Sequence, residues 1–264
     1  MKKLLFLLTL IVLNSCSPDR VLRSELTNDG NENKPRLLFE GKPYTGIVFN
    51  VYPNGKLEYE ETFKDGKRDG TSHSWYENGN LLMTGSYKKG EKDGVFKEWF
   101  ANAVLKSEKK FKEGKLDGLI QIWWESGNLR TEGNFKNGKL YGLNQFWYEN
   151  GQIHHERYYK DGLLDGLEQT WYDSGQLAQK INYSDSLKNG LYQVWNENGR
   201  LKEESNWKNG VQDGLEQRWD EMGRLWLEDD YDNGKLLKAT QWLETGELRF
   251  IHDFENGTYT EYAS

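Results

Sequence analysis

The chain runs to 264 residues, and 42 acidic against 35 basic side chains give it a formal net charge of −7. That balance weighs against a nucleic-acid partner, because phosphate-backbone binding rests on clustered Lys and Arg, and against electrostatic docking on anionic lipid. The single cysteine excludes an internal disulfide, so any core has to hold by packing.

In chain order, Lys2 and Lys3 precede an apolar run over residues 4–13, which meets Asn14-Ser15-Cys16. The run is too short to span a bilayer, and its basic start reads as a secretory signal over residues 1–15. The Leu-Asn-Ser-Cys ending resembles a bacterial lipobox, so Cys16 is the expected lipidation site and first mature residue. Membrane attachment is then expected through that lipid alone, on the extracytoplasmic side of the cell envelope. Residues 16–36 are polar, with Gly30, two prolines and no apolar periodicity, and read as a flexible tether.

From 37 to 264 one unit recurs. Three sets of glycines keep a period of 24 residues, from Gly46 to Gly214, from Gly55 to Gly223 and from Gly66 to Gly234, with Ala103 and Ser186 standing in twice. Self-similarity at a fixed period marks a repeat architecture. Within residues 142–165, a run ending in Trp147-Tyr148 meets Glu149-Asn150-Gly151, and a second run ends at Tyr159 before Asp161-Gly162. Aromatic and β-branched residues between such turn signals are hairpin signatures. The expected fold is therefore all-β: an elongated antiparallel meander of about nine hairpins, on the order of 80–90 Å long at about 10 Å per hairpin.

Patterning favours a three-residue Glu-Asn-Gly loop, which pairs Trp147 with Ile153. It is expected to gather Leu143, Trp147, Ile153 and Tyr159 on one buried face, with His154 and Glu156 outside. Ladders should run through Trp75, Trp99, Trp123, Trp147, Trp171, Trp195 and Trp219, and through the rings from Phe63 to Tyr231. Where Ala103 replaces a turn glycine, Asn102 is expected to supply the positive φ. Gln121, Gln145, Gln169, Gln193 and Gln217 are in phase and read as an amide ladder.

The motifs WYENGNL (75–81), WYENGQI (147–153) and FKNGKLYG (135–142) resemble the bacterial variant of the MORN repeat. That resemblance implies a non-enzymatic antiparallel β-repeat scaffold, in a family whose members are often described as antitoxin components or as repeat lipoproteins. No defined ligand comes with it.

Function is expected on the face opposite the tryptophans, where Phe96, Phe100, Ile120, Ile122, Trp124, Phe146 and Tyr148 interrupt a polar surface. An exposed apolar patch there would bind a protein or glycan partner; alternatively, the rings fold over hairpin ends or both faces are buried. Catalytic chemistry finds no support, since no nucleophile, Walker or GxGxxG context is present. Adjacent His154 and His155 should point to opposite faces and so not share a metal. Asp69, Asp93, Asp117, Asp165 and Asp213 recur once per repeat, too sparsely for calcium, and suit turn stabilisation. No cofactor or metal is expected. The sequence thus reads as a membrane-anchored binding scaffold, with an antitoxin or immunity-type partner that neutralises a cognate toxin as the alternative.

Overall fold

The computed structural model describes residues 19–30 and 36–262; the signal over 1–15 and Cys16 lie outside the described residues. Apart from one 3-10 turn at Arg23–Glu25, the regular structure is all β-strand. Two compact units divide the chain, Met1–Lys92 and Asp93–Ser264. In the second, every strand from Gly94–Trp99 to Thr258–Glu261 pairs antiparallel with the next in sequence. The same meander links Gly46–Val51, Leu57–Lys64, Lys67–Trp75 and Leu81–Lys88 in the first.

Two turn types alternate. After strand Lys139–Trp147, Gly151 N–H donates to the Tyr148 carbonyl and Tyr148 N–H to the Gln152 carbonyl. This is the three-residue loop expected from patterning, with Gly151 at φ 87°. After strand Ile153–Lys160 the chain reverses through two residues, Asp161 at φ 51° and Gly162 at φ 89°, a turn whose handedness matches the twist of the flanking strands. Trp147 pairs with Ile153, and every tryptophan of the ladder pairs likewise with an aliphatic residue, from Trp75 with Leu81 to Trp219 with Leu225.

One expectation about faces is corrected. Phe146 pairs with His155 but Trp147 with Ile153, so His154 is an extra residue in the ladder. The bulge shifts the parity of everything beyond it. Tyr159 therefore lies opposite Gly142, on the face of Asn144 and Phe146. Glu156 joins Leu143, Gln145 and Trp147 on the other. The ring ladder and the indole ladder occupy opposite faces of the sheet.

Burial follows the ring face. One row crosses the second unit through Phe96, Lys109, Ile120, Gly133, Asn144, Arg157, Glu168, Ile181, Tyr192, Ser205, Glu216 and Asp229. Eight of these twelve are buried: Phe96, Ile120, Asn144, Glu168, Ile181, Ser205, Glu216 and Gly133, and a Cβ on Gly133 would overlap the Asn144 amide. The indole face, expected to be the core, is only half-covered.

The tether expected over 16–36 is folded where it is described. Arg20–Leu22 runs parallel to Gly46–Val51, the one parallel pairing among the described strands. Thr27–Asn28, Leu37–Phe39 and Lys42–Pro43 form a small separate sheet. Val21 and Leu26 pack with Leu37, Tyr44, Val48 and Phe63 into a buried cluster. Two isolated apolar residues in a polar stretch carry no periodicity, yet they suffice to close an end of a sheet.

Candidate interaction faces

The ring face carries all seven residues of the expected patch, in three adjoining rows. Phe96 and Ile120 lie in the buried row, at 3% and 8% exposure. Ile122 and Phe146 are half-buried in the next row, beside Thr131. Phe100, Trp124 and Tyr148 sit where strands enter the three-residue loops.

Each ring has an internal partner. Phe96 meets Phe111 edge-on at 5.2 Å, and Phe146 stacks on His155 at 4.0 Å. Lys106 lies over Phe100, and Arg130 sits 4.4 Å above Trp124. Trp124 Nε1 donates to the Trp147 carbonyl at 3.3 Å, and Tyr148 Oη to the Trp171 carbonyl at 2.8 Å. Tyr52 and Tyr172 make the same bond to Trp75 and Trp195. Where the second aromatic of the motif is one of these Tyr or Trp residues, it is thus a strap that ties its loop to the next repeat. No sequence pattern signals it until the acceptor, 23 residues on, is brought alongside.

His154 and His155 do not point apart. The bulge at His154 turns both rings to one side, 4.8 Å between centroids, with their Nδ1 atoms 3.4 Å apart. Burial, then the charges of Arg157 and His154, lower the His155 pKa to about 4, so it is neutral over the physiological range. Among the described residues no group of three or more His, Cys, Asp or Glu is placed to hold a metal. Two carboxylates of the buried row are paired: Glu168 accepts from Arg157 Nε at 2.7 Å, and Glu216 from Arg218 Nη2 and Gln212 Nε2, each at 2.6 Å. Burial and the neighbouring Glu216 raise the pKa of Asp229, against the opposing pull of Arg218.

The indole face is built differently. Its central row alternates Gln and Glu across the strands except at Lys180, which stands opposite Gln169, and the expected amide ladder is corrected to amide–carboxylate bonds at the other four glutamines. Gln121 donates to Glu132, Gln145 to Glu156, Gln193 to Glu204 and Gln217 to Glu228, at 2.6–2.7 Å. The parity of the chain put glutamates, not further glutamines, opposite them. Beside this row stand Val95, Leu119, Leu191 and Leu215, 37–43% exposed, and Tyr158. Every strand from 94 to 261 belongs to the meander, so no second layer covers these side chains from within the unit. Sequence reasoning missed them because it took this face as the core.

The arrangement is a two-faced β-repeat, an architecture that suits a scaffold or binding role. Six windows, 44–65, 68–89, 116–137, 140–161, 164–185 and 188–209, match the MORN repeat variant and together cover half of the sequence; the chain belongs to that family. A search of curated proteins returns no match.

Proposed function

We propose that this protein is a non-enzymatic scaffold, tethered to the extracytoplasmic face of a bacterial membrane by a lipid on Cys16, that binds a protein or glycan partner along its repeats. One observation carries the reading: Val95, Leu119, Leu191 and Leu215 stay 37–43% exposed on the indole face, alternating with polar partners such as Asn134 and Asp230. Side chains spaced in this way offer a partner a series of apolar anchor points along the repeats. Residues 193–264 add 16 acidic against 8 basic side chains, a net −8, which suits a cationic partner. The same charge favours one narrower version, an immunity-type protein that occludes a basic toxin.

Comparative capture from membranes tests the reading. Leu119→Glu with Leu215→Glu should abolish partner recovery, and raised salt should weaken it. Trp124→Ala with Tyr148→Ala probes the ring face in parallel. Recovery of the same partners by both double variants would discard the scaffold reading.

A further inference from the structure

The first unit contains a cavity of about 590 Å³, within the range of small-molecule sites. Two successive two-residue turns, Asp65-Gly66 and Lys89-Gly90, contribute one side, and the side chains of Arg23, Asn28 and Leu37 contribute another. Both turns are fixed. Gly66 N–H donates to the Tyr44 carbonyl at 2.7 Å, while the Gly66 carbonyl accepts from Leu37 N–H at 2.9 Å. Gly90 N–H donates to the Arg68 carbonyl at 2.7 Å, and Lys89 N–H to Asp69 Oδ2 at 3.0 Å. The apolar lining comes from Val48, Phe63 and Leu37, all buried, with Tyr59.

Charge in the lining does not balance. The Glu61 carboxylate is already engaged, by Arg68 Nε at 2.9 Å and Ser72 Oγ at 3.3 Å. Among the described residues Arg23 Nη1 donates to one neutral acceptor, the Leu26 carbonyl. Lys67 and Lys89 form no ion pair among the described residues, and Glu91 is the remaining carboxylate. Three cations therefore face one anion around an apolar lining, in a chain whose net charge is −7. Later repeats keep the turn pairs, as at Asn137-Gly138 and Asp161-Gly162, but the wall bearing Arg23 occurs once.

We propose that this cavity is a binding site for a small organic anion: a carboxylate, phosphate or sulfonate held by Arg23, Lys67 and Lys89, with an apolar body against Val48 and Phe63. It is separate from the sheet faces proposed for the macromolecular partner.

Titration of the full chain with 8-anilinonaphthalene-1-sulfonate, against the same rings without the anion in N-phenyl-1-naphthylamine, tests it. Expected is one saturable sulfonate site per chain, displaced by decanoate but not by inorganic phosphate at equal concentration. Lys67→Glu with Lys89→Glu should weaken it roughly tenfold or more, as two like-charged repulsions replace two attractions. The same change at Lys139 and Lys235, the Lys67 position of later repeats, should leave it unchanged. Should the first pair perturb the far-ultraviolet spectrum, Arg23→Gln gives the second measurement. Equal binding of the neutral dye, absence of a saturable site, or unchanged affinity in the folded variants would overturn the proposal.

Discussion

Residues off the repeat pattern show which atoms the turns need. Ala103 replaces a loop glycine, and it takes up φ 67° itself. Asn102 stays out of the left-handed region and accepts the Val104 N–H at 3.0 Å instead, which corrects the expectation that it would yield. The three-residue loop fixes which position is left-handed, so the neighbour cannot take over that role. A left-handed L-residue costs roughly 1–2 kcal/mol, partly offset by the greater freedom glycine has when unfolded. Ala103→Gly should therefore stabilise by about 1 kcal/mol, read as a higher urea midpoint at unchanged slope; a lower midpoint would contradict this account of the loop. Ser186, at φ 66°, differs because its hydroxyl accepts the Leu164 N–H at 3.0 Å, a bond that glycine would lose.

At the scale of the hairpin, stability comes from bonds that reach across repeats. Asp117 Oδ2 accepts the Asn137 N–H at 3.2 Å, and Asp69 and Asp93 do the same for Lys89 and Glu113, each 20 residues on. The sequence reads these acids as turn stabilisers; Asp69, Asp93 and Asp117 stabilise the turn of the following hairpin rather than their own, while Asp213 pairs with Lys208. Asp117→Ala should cost about 1 kcal/mol, as expected for one backbone donor left without its partner, whereas Asp117→Asn, which keeps an acceptor, should cost less. Paired thermal melts separate the two. The last full hairpin shows the logic from the other side. Strand Lys235–Trp242 lacks one residue and the bulge glycine, yet Trp242 still pairs with Leu248, because the shortfall is taken up at the bulge between Asp230 and Tyr231.

For the molecule as a whole, each hairpin depends on its neighbours. One unit buries too little apolar surface to offset the ordering of 24 residues, so stability is a sum over interfaces. Deleting 142–165 joins equivalent positions: one strap leaves with its repeat, and Trp171 takes the place of Trp147 as acceptor for Trp124, so the remaining bonds stay in phase. That variant should remain folded with a single cooperative melt, whereas removing twelve residues, 142–153, breaks the phase and should unfold the second unit. Equal damage from both deletions, by circular dichroism, would refute the modular description.

The sequence by itself determined the period, the hairpins, the loop lengths and the pairing of Trp147 with Ile153, because turn chemistry is local and glycine positions declare it. It also placed Phe96, Ile120, Ile122, Phe146 and Tyr148 on one face. Only the tertiary structure decided which face is buried, because the extra residue at His154 reverses parity within each hairpin and leaves no trace in the alternation of side chains. The same holds for the straps from Trp124 and Tyr148, and for the cavity beside Arg23. Each depends on groups 20 or more residues apart, and their chemistry appears only once the sheet sets them side by side.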